Sequence, residues 1–230
     1  MRRRDHVYKI AKIEVHQNPF IGLYLTASDE FLLSSHYAPS RWTSVIQETL
    51  KPKKTCTVNI ANSHLTGLFT IANSQCVIVP RFIEESEVKK IKHELEVNTC
   101  KIDDRFSAVK NNVVLTDKIC LVNEDLPKSD QNRISDCSGV EVIPWKVNGV
   151  HMVGAVNVAT NKGLLAFNNA LQKEIKWLSK TFGVKPVRGT CNFGTVTTSL
   201  GITANSHGAL VGSMTTGFET STIYEALSGE

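Results

Sequence analysis

Hydrophobic residues along this chain come in short bursts rather than long stripes. The densest burst is Gly67 to Pro80. Leu68, Phe69 and Ile71 precede an Ala-Asn-Ser turn, and Cys76 to Val79 follow it. Apolar and β-branched runs bounded by Gly and Pro predict a hairpin of two short strands. From Arg81 to Val97 the pattern changes. Ile83, Val88, Ile91 and Leu95 recur at near-helical spacing among Glu and Lys, which predicts an amphipathic helix.

The same order of Gly, apolar run, polar turn and apolar run returns at Ile21–Ser35, Gly154–Asn168 and Gly201–Gly212, and Asn112–Asn123 repeats it with a shorter turn. Gly22 and Gly67 are 45 positions apart, and Gly154 and Gly201 are 47 apart. A period of roughly 45 residues is the signature of a repeat architecture. Five hairpin-plus-helix repeats fill the chain, at about 13–60, 61–104, 105–149, 150–190 and 191–228.

Helices are predicted at Pro39–Leu50, Ser129–Cys137, Ala170–Phe182 and Phe218–Leu227, with Gly139 and Gly183 as stops. Leu171, Ile175, Leu178 and Phe182 are expected on one apolar face. Strands are expected to follow at Thr55–Ile60 and Val140–Pro144. Residues 1–12 read as a basic N-terminal extension, frayed to about Ile10, ahead of a single domain over 13–230.

One hairpin cannot bury its own apolar face, so the units must stack on one another. An open array wants polar, atypical end units. Here the first and fifth units are as apolar as the middle three, so a closed ring is expected, with short strands near its axis and helices outside.

Composition adds limits. A hydrophobic content of 41% and a charged content of 21% are ordinary for a globular protein. Twenty-six Lys and Arg against 22 Asp and Glu leave a net charge of +4, short of the basic excess of a protein held mainly by phosphates. Six cysteines form no C-x-x-C pair, which argues against zinc, and a disulfide framework is not expected without a secretory signal. Cys76 and Cys120 are expected as buried small hydrophobes. No run reaches the ~18 apolar residues of a membrane span, and the chain reads as cytoplasmic and reduced.

The stretches Asn18-Pro-Phe-Ile-Gly22, Val79-Pro80, Asp104-Arg-Phe-Ser-Ala-Val109 with Asn111, Val153-Gly154 and Arg188-Gly-Thr-Cys-Asn-Phe-Gly-Thr195 carry a resemblance. In this order and at these separations, they resemble the translation initiation factor 6 family in its shorter archaeal form, over about Ile13 to Leu227. Lys110 stands where the family often has Gly, and Cys191 where Val is common. The resemblance implies an α/β fold, the five-fold pseudosymmetric closed propeller known as the pentein fold. It also implies a monomeric factor without cofactor that binds the large ribosomal subunit at its intersubunit face and keeps the small subunit from joining. The partners implied are a ribosomal protein of the L14 class and the neighbouring rRNA at the sarcin–ricin loop, with no DNA and no membrane.

The residues expected at that interface are Asn111, Asn112 and Arg105. Asn amides offer donors and acceptors to a partner, although Asn is also ordinary turn chemistry. Arg105 could clamp a carboxylate or phosphate, or pair internally with Asp103 or Asp104. Asn192 reads as structural, and Lys51, Lys53 and Lys54 as a solvated loop. Two rival readings are a non-ribosomal scaffold and a guanidine-modifying enzyme, since the pentein fold also houses the latter with Cys nucleophiles. Cys191 and His207 are the candidates for such chemistry. However, the sole acid between Ala155 and Thr216 is Glu174, too few to hold a guanidinium, so no enzymatic role is expected.

Overall fold

The computed structural model describes residues 7–229. Strand β1 (Lys9–Ile13) comes first, and unit one follows with a 3₁₀ turn at Ile21–Leu23, β2 (Leu25–Ala27), β3 (Phe31–Ser34), α1 (Thr43–Leu50) and β4 (Lys54–Thr57). Unit two has α2 (Thr66–Phe69), β5 (Ile71–Ala72), β6 (Cys76–Pro80), α3 (Glu85–Leu95) and β7 (Asn98–Ile102). Unit three has α4 (Val109–Asn112), β8 (Val113–Leu115), β9 (Ile119–Asn123), α5 (Lys128–Ser138) and β10 (Glu141–Trp145). Unit four has α6 (Val153–Val156), β11 (Val158–Ala159), β12 (Leu164–Phe167), α7 (Gln172–Phe182) and β13 (Pro186–Gly189). Unit five has α8 (Thr198–Gly201), β14 (Ile202–Ala204), β15 (Gly208–Gly212) and α9 (Gly217–Leu227).

Each unit makes a three-stranded sheet: an antiparallel hairpin, then a helical crossover to a strand parallel to the second. Unit five lacks a third strand of its own. β1 supplies it, pairing parallel to β15 from Lys9–Gly208 to Ile13–Gly212. The expected frayed lead-in is therefore corrected from Tyr8 onward. Tyr8 and Ile13 are buried on opposite faces of the segment: Tyr8, with Ile10, packs into the core of unit five, and Ile13, with Ala11, packs against Ile46 and Leu50 of unit one. The basic start, Met1 to His6, lies outside the described residues.

Hydrophobic contacts explain why no unit stands alone. Val88, Ile91 and Leu95 of α3 pack with Leu33, Cys56 and Val58 of unit one, and Ile134 of α5 packs with Ile78, Cys100 and Ile102 of unit two. Ile46 and Leu50 of α1 pack with Ile13 and Leu210, which ties the first unit to the last. The strands β2, β5, β8, β11 and β14 touch one another in that order, and β14 touches β2 again. Among the described residues the five sheets share no hydrogen-bonded ladder and form no closed barrel.

Local chemistry sets the ends of the elements. A capping box between Glu84 and Glu87 starts α3 at Glu85, four residues later than periodicity suggests. Gly139 and Gly183 end α5 and α7 in the left-handed region, as expected of C-terminal glycines. Leu171 precedes α7 as its N-cap and is 43% exposed, so it does not join the apolar face with Leu178 and Phe182. Gly67 to Phe69, expected within a strand, forms α2 instead. A Cβ on Gly67 would strike the Gly22 carbonyl and the Leu25 backbone, so only glycine lets these turns meet.

A second correction concerns the cysteines. Cys76 and Cys137 are joined as a disulfide, with Cα atoms 5.9 Å apart, within the usual range. Cys76 on β6 points toward α5, which the next unit lays across the sheet, and 61 residues of separation hid the pairing. Cys120 is a buried free thiol, as expected.

Candidate functional site

The short turns that open the units, Ile21–Leu23, α2, α4, α6 and α8, gather at one end of the five contacting strands. Their second positions are Gly22, Gly67, Lys110, Gly154 and Ser199. A Cβ on Gly22 would strike the Ser199 carbonyl, and one on Gly154 would strike the Lys110 carbonyl. Small residues here are demanded by backbone contact between units. Lys110 is the exception. Its side chain turns into a cavity of about 50 Å³ lined by residues from all five units, including Thr26, Ala72, Asn157 and Thr203. Its ammonium donates to the Leu25 carbonyl of unit one at 3.3 Å, and burial pushes its pKa down to about 8.

The neighbouring residues are those the sequence singled out. Asn112 is buried and its amide is used inside the fold: Nδ2 donates to Ala108 O at 3.0 Å, and Oδ1 accepts from Asn123 Nδ2 at 2.9 Å. Asn157 holds α6 in the same way through Val153 O and Phe167 N. Asn111 sits in the α4 turn, half-buried rather than in an open loop. Its Oδ1 is shielded and has no hydrogen-bond partner among the described residues. Arg105 is exposed. Its guanidinium pairs with Asp103 at 3.1 Å and lies over the Phe106 ring at 5.9 Å. Asp103 also accepts from the Arg105 amide, and these bonds hold its carboxyl below the usual range.

Four units carry a tight turn just ahead of this end, closed by the bridges Val15–Asn18, Ile60–Ser63, Val147–Val150 and Cys191–Thr195. Positive φ values at His16–Gln17, Ala61–Asn62, Asn148–Gly149 and Asn192–Phe193 mark their tips. Sequence reasoning missed these turns. Only Asn148-Gly149 carries the residue pair that signals a type I′ turn. The turn in unit five rests on Glu219, which accepts from Thr190 Oγ1, Gly194 N, Phe193 N and Thr216 N at 2.8 to 3.1 Å. Burial works to raise the Glu219 pKa, but the amides of Thr216 and Gly194 and the hydroxyls of Thr190 and Thr216 outweigh it and hold the carboxyl at about 2. Asn192 is structural, donating to Pro19 O of unit one at 2.9 Å.

Cys191 is buried, and its thiol contacts Thr198 O at 3.7 Å. Burial pushes its pKa up to about 12, the opposite of an activated nucleophile. His207 lies in the turn between β14 and β15, at the far end of β14 from α8 and the Cys191 contact. The structure thus does not bring this pair together on one strand end.

The eIF-6 family model matches residues 10–226, nearly the whole described chain. The chain belongs to the eIF-6 family. It is 33% identical to translation initiation factor 6 of Thermococcus onnurineus over 225 residues, covering 95% of this chain and 97% of that protein. The corresponding protein of Pyrococcus abyssi is 31% identical, covering 95% and 98%, and that of Aeropyrum pernix 36%, covering 96% of each. Membership places the chain's role in translation initiation and protein biosynthesis. No helix among the described residues is long and apolar enough to cross a membrane.

Proposed function

We propose that the chain binds the large ribosomal subunit at its intersubunit face and prevents the small subunit from joining, acting in the cytoplasm without catalysis. The observation that carries this reading is the family match from residue 10 to residue 226, which spans all five units. The contact cycle β2–β5–β8–β11–β14–β2, with β1 completing the last sheet, supports a closed five-fold propeller of the pentein type. Such a body is stiff, because every unit buries its core against two neighbours. A stiff plug acts by occupying space: at 100 times its dissociation constant it opposes joining by about 2.7 kcal/mol.

Within this reading Asn111 and Arg105 face the subunit at the end where the short turns gather, and the partners are an L14-class ribosomal protein and the rRNA of the sarcin–ricin loop. Asn112 contributes by holding α4 in shape. Asn111 is favoured over Asn112 because both ends of the Asn112 amide are spent inside the fold, on Ala108 O and Asn123 Nδ2.

Sucrose-gradient sedimentation of purified subunits tests the proposal. Added protein should co-sediment with large subunits and shift joined ribosomes toward free subunits. Joining that proceeds equally with and without the protein would refute it. Asn111→Ser should weaken co-sedimentation while leaving the thermal midpoint almost unchanged, since the lost amide oxygen bonds nothing in the fold. A large drop in the midpoint with unaltered binding would assign Asn111 a structural role instead.

A further inference from the structure

Three rings from separate loops cluster on the surface where units one and two meet. His16 stands at the tip of the first tight turn with φ 48°, Tyr37 lies between β3 and α1, and His64 follows the second tight turn. The ring centroids of His16 and Tyr37 are 4.3 Å apart with the planes tilted by 41°, and those of Tyr37 and His64 are 5.1 Å apart and stacked, with 27° between their planes. Tyr24 braces Tyr37 from below, at 5.7 Å. His16, His64 and Tyr37 are all exposed. A left-handed backbone at a non-glycine residue costs of order 1 kcal/mol, so holding His16 in this position is not free.

We propose that this aromatic cluster is a platform for an unpaired base of RNA. It deepens the ribosomal reading above, on which it rests, by naming which part of the surface meets rRNA. Rings that hold one another in place offer their outward π faces to any base, and fixing them beforehand removes most of the ordering cost. A cation stands in the same connection: Arg41, exposed, lies over the Trp42 ring at 5.2 Å and makes no ion pair among the described residues. Two acids beside the second tight turn are occupied. Glu84 and Glu87 cap α3 and accept from Asn62 Nδ2 and Ala61 N. The Trp42 indole donates to the main-chain carbonyl of Glu14 at 2.7 Å, which fixes the ring under Arg41. A protein partner fits less well, because the two most exposed large apolar side chains among the described residues, Phe193 and Phe218, belong to unit five, and units one and two add only Phe82 and Tyr37.

Fluorescence anisotropy with a labelled single-stranded oligoadenylate and with a fully paired RNA duplex tests the platform on the full chain. The single strand should bind more tightly. Tyr37→Ala should weaken it about tenfold, Tyr37→Phe should restore it, and Phe218→Ala should leave it unchanged. Arg41→Ala should lower the salt slope by about one. Preference for the duplex, no measurable binding, or equal binding by wild type and a folded Tyr37→Ala would overturn the inference. A photoreactive phenylalanine analogue at position 37 should cross-link to rRNA in large subunits, and cross-links to ribosomal protein alone would also overturn it. If the protein failed to co-sediment with large subunits at all, the functional reading would fall, while the oligonucleotide titration would still judge the platform.

Discussion

Lys110 is a cation almost wholly removed from water, and no carboxylate lines its cavity. A buried ammonium is costly unless paired, and one carbonyl at 3.3 Å is a poor counterpart. Its folded pKa of about 8 lies below the ordinary 10.5, so between those values the unfolded chain binds more protons. Stability contributed by this group therefore rises with pH through that window and is lowest below pH 8. The gap corresponds to roughly 3 kcal/mol. Lys110→Met should stabilise the protein at pH 7 by up to that amount, with the advantage shrinking as pH rises toward 10.5. Urea unfolding at pH 7 and pH 10 measures both, and a variant no more stable than wild type at pH 7 would contradict the account. The sequence marks this position only indirectly, as a lysine at a place where three of the other four units carry glycine and one carries serine. Nothing in it says that the side chain turns inward.

Among the elements, the tight turn of unit five depends on a residue in the following helix. Thr216 and Glu219 form the capping box that starts α9, and the same carboxylate gathers the amides of Phe193 and Gly194. Hydrogen bonds to a charged acceptor contribute more than neutral ones, about 1.5–3 kcal/mol each. Glu219 titrates at about 2 when folded, below the ordinary 4.5, so its contribution is present above pH 4.5 and is lost as pH falls through 2. Glu219→Gln should cost about 3 kcal/mol at pH 7 and flatten the acid side of the stability profile. Chemical unfolding from pH 7 down to pH 3 checks this, and an unchanged profile would remove Glu219 from the account. The helices were legible because their apolar residues repeat every three to four positions and glycines end α5 and α7. The tight turns were not, because His16-Gln17 and Asn192-Phe193 adopt left-handed backbones that their residue types do not announce.

At the scale of the whole molecule, β1 joins the two ends of the chain. It is the third strand of the last sheet, and its Ile13 packs with Ile46 and Leu50 of the first helix. Without it, β15 would expose an edge and α1 would lose one side of its core. A chain beginning after Ile13 should therefore lose cooperative thermal unfolding, or melt far below the full chain. Circular dichroism would show it, and an undiminished melt would mean that β1 merely decorates the sheet. The Cys76–Cys137 disulfide links units two and three in the same cross-unit manner.

By itself, the sequence determined the number of units, the hairpin and helix order within each, the family and the positions where glycine recurs. These follow from local periodicity and spacing, which a linear chain carries without folding. Tertiary structure alone decided that β1 completes the fifth sheet, that Cys76 meets Cys137, that Asn112 is spent internally while Asn111 is not, and that His16, Tyr37 and His64 cluster. Each of these depends on contacts between residues far apart in the chain or on backbone turns with no residue signature, so only packing the units together brings the partners within reach.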